Sequence, residues 1–425
     1  MFTSFIKYFG KLGMRVFFKK IYFSNFDQIP KGNSNIFAVN HPTAFLDPVV
    51  VGTFAIKDVY FILRGDLFRS AISRWLLKQI HCVPVYRASE GLDQVKKNQA
   101  TFEQCFDYLS AEKAVMILAE GKTKHEKRMR PIQKGTARIA FGAFEKYPDI
   151  NIAVIPVGVN YTDSNQFRSE VKVDFGEAIM LSDYIDAYQE NPAKGIKKLT
   201  AAVSEGMKKR IVHIDEPADD SWINELLEMK NNENPATVLP VFSTDDTKLK
   251  KELANVKKLN RLDELTKTEI TKDLQEYQEL LKKYGTNDFG IAQAHFPKWW
   301  HPIFFLVGFI PFLIGYLVFY PPFRLAKYIA DSKIKKIEFH SSVRYAIGLV
   351  FTPIYLLFLA SLIGLFIAWQ WALMALVLIP MTGFFALYYR DLWLDWRSAK
   401  SIDKMSKGQL VELHRKRGEL LKAIQ

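Results

Sequence analysis

The sequence predicts an α/β domain with a mostly parallel sheet flanked by helices, followed by a helical segment and C-terminal transmembrane helices. Three observations lead to this prediction. Short apolar runs alternate with helix-like stretches between about residues 35 and 176, a polar helical region follows, and long runs without Asp, Glu, Lys or Arg come last. The 425 residues suffice for one sizeable core plus an accessory region, so we expect one to three domains, together with a membrane region.

Charge and composition narrow the class of partner. The formal net charge is +13, which favours an anionic partner such as a membrane surface, a nucleic acid or a phosphorylated substrate. Aromatic residues make up 14% of the chain, which favours a membrane over a nucleic acid. Cys82 and Cys105 have neither a disulfide framework nor metal-ligand spacing, so we expect both to be buried and reduced.

The sequence predicts an amphipathic membrane-associating helix over residues 1–25. Apolar side chains recur there at intervals of three and four residues, and basic side chains step by four along the opposite side. The apolar stripe consists of Phe2, Phe5, Ile6, Phe9, Leu12 and Val16, and the basic one of Lys7, Lys11, Arg15 and Lys19. The same stripe would also suit a helix packed on the protein's own core.

Residues 26–180 predict the α/β domain itself. The strand-like runs are "NIFAVN", "DVYFILR", "CVPVY", "AVMILAE", "NIAVIPVGVN" and "VKVDFG", and most are too continuously apolar to have one wet face. The stretches "LFRSAISRWLLKQI", "GLDQVKKNQATFEQCFDYLSAE" and "KGTARIAFGAFEKY" predict the helices between them. Neither G-x-G-x-x-G nor G-x-x-x-x-G-K-[ST] occurs, so the sequence does not indicate a nucleotide-binding domain.

The sequence predicts a helical accessory region over residues 181–297 and a membrane region over residues 298–392. Within the latter, 344–368 and 371–390 predict two transmembrane helices joined near "AWQW". Residues 298–325 predict a re-entrant hairpin bent at Pro311, because a basic segment follows them and cytoplasmic loops favour Lys and Arg. A conventional span over residues 298–325 is the alternative. After the membrane region, the sequence predicts a polar C-terminal helix over residues 393–425.

One short stretch, "FAVNHPTAFLDPVV", places His41 and Asp47 just after a strand-like run. On one straight helix the two residues would be separated by about 9 Å of rise and about 120°, so their side chains could not meet. Pro42 favours the first helical position, which would place His41 at the cap. The pair alone does not distinguish a catalytic dyad from a helix cap and a surface charge.

The second chemistry-bearing stretch is "LAEGKTKHEKRMRPIQKGTARIAF", residues 118–141. It carries seven cations, namely Lys122, Lys124, Lys127, Arg128, Arg130, Lys134 and Arg138. Arginine forks suit phosphate oxygens, although a basic run can also be a solvated surface. Arg64 and Arg87 each end a strand-like run, so a parallel sheet would place them at the same edge as His41 and Glu120.

Four stretches in order resemble the four sequence blocks of the glycerophospholipid acyltransferases, the PlsC-like 1-acylglycerol-3-phosphate and glycerol-3-phosphate acyltransferases. They are "NHPTAFLDP", "RGDLFRSAISRWLLKQIHCVPVYR", "LAEGKTKHEKRMRPIQKGTARIAF" and "IAVIPVGVNY", within about residues 30–180. The resemblance extends more loosely to bacterial members with a hydrophobic tail. It implies transfer of a fatty acyl group from a thioester to glycerol-3-phosphate or lysophosphatidate.

The resemblance also implies residue roles. His41 matches the general base and Asp47 the carboxylate that orients it. The predicted substrate-binding residues are Arg64, Arg87, Glu120, Gly121, Lys122, Arg128, Arg130 and Lys134. We expect no metal and no cofactor, with acyl-CoA or acyl-carrier protein as donor, membrane lipids and a phosphorylated glycerol as partners, and no nucleic acid. The catalytic domain would lie on the cytoplasmic face of an inner or plasma membrane.

This sequence departs from the common family pattern in two places. Five residues separate His41 from Asp47 where four are usual, a spacing that resembles glycerol-3-phosphate acyltransferases of fungal type and leaves both acceptors open. The third block has Leu118-Ala119 and Lys122-Thr123 where Phe-Pro and Thr-Arg are common. Three other functions stay open: acylation of another lysolipid or amino-lipid, metal-dependent phosphate hydrolysis, and non-catalytic lipid binding.

Overall fold

A computed structural model gives the structure of the protein and describes residues 2–54, 58–86, 98–294, 296 and 299–424, with side chains from residue 6 onward. The chain forms two compact units. The first unit consists of Met1–His213, Phe242–Thr247 and Ile337–Ser342. The second unit consists of Ile214–Val241, Lys248–Lys336 and Val343–Gln425. The first unit is therefore assembled from three separate stretches of chain.

The first unit is built from helices and one large sheet. Its main helices are α1 (Phe2–Phe17), α2 (Leu46–Phe54), α3 (Ala71–Gln79), α4 (Asn98–Ser110), α5 (Gly135–Lys146), α6 (Ser182–Glu190) and α7 (Pro192–Lys208). Its strands are β1 (Lys20–Ser24), β2 (Ser34–Val39), β3 (Val59–Arg64), β4 (Cys82–Val85), β5 (Ala114–Leu118), β6 (Ile152–Tyr161), β7 (Glu170–Phe175), β8 (Ile179–Met180) and β9 (Phe242–Ser243).

The sheet is mostly parallel, as predicted. Its strand order is β4-β3-β5-β2-β6-β7-β1-β9, and β8 pairs with β6. Only β6 pairs antiparallel, with β7 and with β8, among the strands of the described residues. Every residue of β2 and β6 is buried, which explains why these strands read as continuous apolar runs. The chain leaves β2 near the centre of the sheet, between β5 and β6.

The N-terminal segment differs from the prediction. The six strand-like runs correspond to β2 through β7, but β1 lies inside the segment 1–25 that predicted a single helix. The helix ends at Phe17, and residues 20–24 pair in parallel with β7. All five residues of β1 are buried. Its partner is about 150 residues away in sequence, so local periodicity carries no trace of the pairing.

The helix α1 presents different faces to the core and to its surroundings. Gly10 and the apolar Met14 and Phe17 are buried in the first unit. They lie about 100° around the helix from the centre of the predicted apolar stripe, at 100° per residue. The stripe residues Leu12 and Val16 are only half-buried. The protein's own core therefore uses one face of α1, and the association of the stripe with a membrane stays a prediction.

Both cysteines are buried, as expected. Cys105 lies on α4 within the hydrophobic core that α4 and α5 form against the sheet, and Cys82 begins β4. Burial raises the pKa of each thiol to about 12. Both therefore stay protonated and unreactive at neutral pH.

The second unit is helical. Its first helices are α8 (Asp220–Glu233), α9 (Thr247–Leu259), α10 (Glu264–Tyr284) and α11 (Asp288–Ala292), and its last is α16 (Lys407–Lys422). Arg417 on α16 is buried and donates to Asp288 Oδ1 at 2.9 Å and to the Met229 carbonyl at 2.6 Å. This buried cation joins α16 to α8 and α11.

Three helices are long and apolar enough to cross a membrane, by length and composition. The short α12 (His301–Val307) precedes α13 (Phe309–Lys333), α14 (His340–Phe366) and α15 (Trp369–Ser401). The predicted spans 344–368 and 371–390 coincide with α14 and α15 except for residues 367–368, which form the turn at the start of "AWQW". The predicted bend at Pro311 is wrong. Pro311 lies in the first turn of an uninterrupted α13, where a proline interrupts no helical hydrogen bond.

Candidate active site

The candidate site begins where β2 ends. The Asn40 side chain forms two hydrogen bonds with the backbone of Val159 on β6, donating to its carbonyl at 3.0 Å and accepting from its N–H at 2.7 Å. This side chain thus prolongs the pairing of β2 with β6 by one residue. The chain then leaves the sheet at His41, whose position is fixed by that pairing.

His41 and Asp47 meet because the chain between them is not helical. The helix α2 begins at Leu46, so the expectation that Pro42 starts a helix is wrong, and residues 42–45 form a bend. Asp47 in the first turn of α2 faces back toward the loop, and His41 Nδ1 lies 3.0 Å from Asp47 Oδ2. As the spacing required, the two residues do not share one helix.

Asp47 is surrounded by hydrogen-bond donors in a site that excludes water. Its side chain is fully buried. Thr43 donates to it from its backbone N–H at 3.0 Å and from its hydroxyl at 2.6 Å, and Tyr161 donates from its hydroxyl at 2.8 Å. Burial, and then the charge of Asp47, raise the pKa of Tyr161 well above its usual value, so the phenol keeps its proton. Together these donors and His41 satisfy the carboxylate.

A distant stretch of the first unit holds the loop from the other side. Ala44 N–H donates to the Glu338 carbonyl at 3.1 Å, and Leu46 N–H donates to Ser342 Oγ at 3.1 Å. Ser342 is fully buried and is 296 residues away from Leu46 in sequence. Ser341 donates to the Ser164 carbonyl at 2.5 Å. Glu338 and Ser342 thus hold the backbone N–H groups of Ala44 and Leu46, while Thr43 and Tyr161 hold the Asp47 carboxylate.

The third block enters the site from β5. Ala119 N–H donates to the Val39 carbonyl at 2.9 Å, and Lys124 N–H donates to the His41 carbonyl at 3.4 Å. Gly121 has φ of +70°, a left-handed conformation that side chains disfavour, and it turns the chain sharply after Glu120. Glu120 is therefore placed beside His41, as the parallel sheet predicted.

Glu120 is a buried acid held by one arginine. Arg130 Nη2 donates to Glu120 Oε2 at 2.8 Å and also to the carbonyl of Lys122. Burial raises the pKa of Glu120, while the charges of Arg130 and His41 oppose the shift. The arginine is therefore committed to structure as well as adding positive charge.

A second carboxylate organises the remaining cations. Glu126 lies 2.7 Å from Lys124 Nζ, 3.5 Å from Arg128 Nη1 and 3.7 Å from Arg130 Nε. The side chain of Glu126 is nearly buried, whereas Lys122 and Lys134 are exposed. The cluster is thus partly neutralised from within, and its excess charge lies on side chains that face solvent.

Of the two predicted arginines at strand ends, Arg64 does not join this set of contacts. Arg64 ends β3 at the expected edge, but its guanidinium binds Asp66 with two hydrogen bonds of 3.1 Å and 2.6 Å. Arg87 lies outside the described residues. The contacts join His41 to Asp47 and Glu120 to Arg130, and the Lys124 N–H links the third block to the His41 carbonyl.

The part of the chain that the structure describes has no group of three or more His, Cys, Asp or Glu side chains placed to hold a metal ion. Asp47, the carboxylate nearest His41, already accepts from Thr43 and Tyr161. Its oxygens are therefore occupied by protein donors.

Comparison with known proteins finds a family model that matches the part of the chain holding this site. Residues 20–160 match the Acyltransferase family model, and this range contains all ten predicted site residues. The matched range lies within the first unit and covers about a third of the chain. The fold and the resemblance of the four blocks agree with that match.

Two curated relatives and one solved structure are also similar to parts of this chain. Glycerol-3-phosphate O-acyltransferase 1 of Saccharomyces cerevisiae is 24% identical over 299 residues, 65% of this chain and 38% of the relative. Glycerol-3-phosphate O-acyltransferase 2 of the same yeast is 28% identical over 153 residues, 36% of this chain and 20% of the relative. The chain thus spans well under half the length of either relative. The crystal structure of the 1-acyl-sn-glycerophosphate acyltransferase from Thermotoga maritima covers 49% of this chain and 78% of its own, with 16% identity and a TM-score of 0.36.

Proposed function

We propose that this protein is a membrane O-acyltransferase that moves a fatty acyl group from a thioester to the hydroxyl of glycerol-3-phosphate or lysophosphatidate, in phospholipid biosynthesis. The observation that carries the proposal is the His41–Asp47 pair. Its Nδ1–Oδ2 distance is 3.0 Å, and Asp47 is buried beneath three further hydrogen bonds from Thr43 and Tyr161.

The pair suits a general base. With Nδ1 protonated and bound to Asp47, the imidazole keeps the lone pair of Nε2 for the substrate. Nε2 takes the proton of the acceptor hydroxyl while that oxygen attacks the thioester carbonyl. The C–S bond then breaks, and the departing thiolate takes the proton from the imidazolium. Asp47 stays ionised throughout and stabilises the transient cation.

The third block suits a phosphorylated acceptor. Arg128 and Arg130 are already in contact with Glu126, so they provide oriented guanidinium groups. Lys122 and Lys134 are exposed and can reach an incoming phosphate. The acceptor phosphate would bind among these four cations, with its glycerol hydroxyl directed to His41.

Glycerol-3-phosphate is the acceptor that we favour. Both curated relatives carry this substrate in their names, and the His-x5-Asp spacing resembles the fungal enzymes. Lysophosphatidate, another lysolipid or an amino-lipid are the alternative acceptors, with acyl-CoA or acyl-carrier protein as donor. The likeness to bacterial members with a hydrophobic tail stays a prediction.

The competing functions fit the geometry less well. A phosphohydrolase that uses His41, Asp47 and Glu120 as metal ligands would need lone pairs that Asp47 gives to Thr43 and Tyr161 and that Glu120 shares with Arg130. A lipid-binding protein without activity would have no need for a dry, fully hydrogen-bonded pair.

The active site is proposed to face the cytoplasm of an inner or plasma membrane. Residues 337–342 follow α13 in sequence and hold the bend 42–45 and the start of α2 within the first unit. The helix α13 is long and apolar enough to cross a membrane. That residues 298–325 re-enter without crossing stays a prediction, with a conventional span as the alternative. The basic residues after α13 favour the cytoplasmic side.

Acyl transfer by the purified full chain tests the function. Labelled glycerol-3-phosphate and labelled lysophosphatidate would each be offered with acyl-CoA and with acyl-carrier protein. We expect His41→Ala to lower the rate by about 10³-fold or more, because a general base contributes about 10²–10⁴-fold and its pairing with Asp47 is lost.

The matched control is His125→Ala, which removes a half-exposed histidine of the third block. It should leave the rate within a few-fold of wild type. Failure of wild type to acylate either acceptor would contradict the proposal. Equal rates for His41→Ala and wild type would show that the pair is not catalytic.

A further inference from the structure

The helix α3 carries an apolar face whose side chains are exposed in the part of the chain that the structure describes. Ile72 is 79% exposed and Trp75 is 58% exposed, and Leu76 is also exposed. The three residues are spaced by three and four positions, so they share one face. None of the residues of α3 is buried, whereas α4 buries Cys105 and Leu109. The face therefore does not serve the core of the first unit.

Leu67 extends this surface, in the short 3-10 turn Gly65–Phe68 just before α3, where it is 48% exposed. An apolar surface with a tryptophan and several aliphatic side chains in contact with water is unfavourable. We name the set Leu67, Ile72, Trp75 and Leu76 the α3 face.

Positive charge surrounds the α3 face. Arg69, Arg74 and Lys78 are all exposed, and residues 67–79 contain no Asp or Glu. At 100° per residue, Lys78 lies about 110° and Arg74 about 150° around the helix from the centre of the apolar stripe, so both charges can point away from an apolar layer toward headgroups. Tryptophan and basic side chains around an aliphatic stripe are typical of helices that lie in a lipid headgroup layer.

The position of the face relates it to the candidate site. The chain enters α3 from the carboxyl end of β3, and His41 and Glu120 follow the carboxyl ends of β2 and β5 in the same parallel sheet. The start of the α3 face thus lies at the sheet edge that carries the catalytic pair.

We propose that the α3 face docks the first unit on an anionic lipid surface, with Ile72, Trp75 and Leu76 among the acyl chains and Arg69, Arg74 and Lys78 at the phosphates. Charge complementarity selects this occupant. The membrane-length helices of the same chain ensure that a bilayer is present. Docking there turns the sheet edge with His41 toward the layer in which lipid acceptors and long acyl chains reside.

The experiment uses the full chain, because the membrane helices cannot be removed without altering it. Cys82 and Cys105 are buried and their thiol pKa values are raised to about 12, so a single introduced cysteine can be labelled selectively. An environment-sensitive fluorophore would be attached at Ile72→Cys. Ala193→Cys, exposed near the start of α7, is the matched control. Both sites are exposed, so neither substitution disturbs the core.

Labelled proteins are reconstituted in phosphatidylcholine vesicles with and without about 30% phosphatidylglycerol. Two quenchers are compared, a lipid with a spin label on its acyl chain and aqueous iodide. In the anionic vesicles we expect the Ile72→Cys label to be quenched by the lipid, and to be at least about threefold less accessible to iodide than the Ala193→Cys label. Charge reversal by Arg69→Glu with Arg74→Glu should lower the lipid quenching, most strongly at low salt.

Each other outcome overturns the proposal. Equal iodide quenching at both sites would place the α3 face in water. A label protected from iodide and from the spin-labelled lipid would show a protein cover, such as a second copy of the chain. Protection that appears only when an acyl-carrier protein is added would assign the face to that acidic carrier. Trp75→Cys serves as a second label site if Ile72→Cys expresses poorly. The readout does not depend on acyl transfer, so it is independent of the proposed function.

Discussion

The two halves of the candidate site are built on opposite principles. The His41–Asp47 half is dry, and each contact is made by one specific group: Thr43 and Tyr161 bind the carboxylate, and Ser342 holds the loop. The other half is formed by the third block, residues 118–141. It is charged and partly solvated, with several cations around the carboxylates of Glu120 and Glu126.

The two halves should therefore respond differently to amino-acid substitution. In the proposed mechanism a single group of the first half sets the tautomer of one imidazole, so we expect one substitution to remove the function. In the second half positive charge is shared among Lys122, Arg128, Arg130 and Lys134, so we expect the loss of one exposed cation to weaken binding only in part. Substitutions of matched size in the two halves test this difference.

The largest effect is expected at Asp47. In Asp47→Asn the new amide can donate to His41 Nδ1, which leaves the proton on Nε2 and removes the base. We expect kcat to fall by about 10³–10⁴-fold with little change in KM. Steady-state kinetics of the purified chain would measure both constants. A decrease of less than tenfold would show that Asp47 does not control the tautomer.

Arg130→Gln should have the next largest effect, and on stability as well as binding. It leaves Glu120 buried without its charged partner, and we expect a loss of about 2 kcal/mol in the free energy of unfolding. Chemical denaturation would measure it.

Lys134→Gln is the matched control, because Lys134 is exposed. It should raise KM for the phosphorylated acceptor by only a few-fold and leave stability unchanged. Equal stability losses for the two variants would contradict a structural role for Arg130.

Tyr161→Phe is expected to be smaller still. It removes one donor to Asp47 Oδ1 and leaves the Thr43 hydroxyl in place on the same oxygen. We expect kcat to fall by about tenfold, corresponding to about 1.4 kcal/mol, with KM unchanged. An unchanged kcat would indicate that Thr43 alone is sufficient to hold the carboxylate.

The smallest effect is a change in pH dependence at Glu120. Because burial raises the pKa of Glu120 in the folded protein, ionisation of this carboxylate lowers the free energy of unfolding. The loss grows as the pH rises from the ordinary pKa to the raised one. Glu120→Gln carries no such charge, so its Tm should exceed that of wild type at pH 7. The difference should disappear near about pH 4, where wild type is protonated as well. Thermal unfolding of both proteins across this range is the measurement, and a lower Tm for the variant at pH 7 would mean that the pairing with Arg130 outweighs burial.

Much of the first unit was predictable because its strands are apolar on both faces. The runs that form β2 to β7 are continuous in hydrophobicity, and a parallel sheet follows from their alternation with helices. The pair His41 and Asp47, and the neighbourhood of Glu120, follow from the order of the blocks and from the common edge of the sheet.

The contacts that complete the site depend on pairings that no local pattern records. Tyr161 reaches Asp47 only because β6 lies beside β2, and Thr43 does so only because residues 42–45 bend before α2 begins. Both residues lie inside quoted blocks, so the signal was present without an assigned role. Arg64 shows the reverse case, since its edge position was predicted but its neighbour Asp66 binds the guanidinium.

Strand β1 was missed for the same physical reason. Its five residues follow a basic amphipathic helix, and their partner in β7 comes much later in the chain. Similarly, Ser342 supports the loop before Asp47 from the start of a helix whose composition indicates only a membrane span.

The three-segment composition of the first unit has a consequence for biosynthesis. When a ribosome has made the sheet and both members of the pair, the acceptors for Ala44 and Leu46 do not yet exist, because Glu338 and Ser342 are still untranslated. The intervening nascent chain includes the apolar α13. A chain released before residue 338 would therefore lack both acceptors, and the bend 42–45 would have no support from that side.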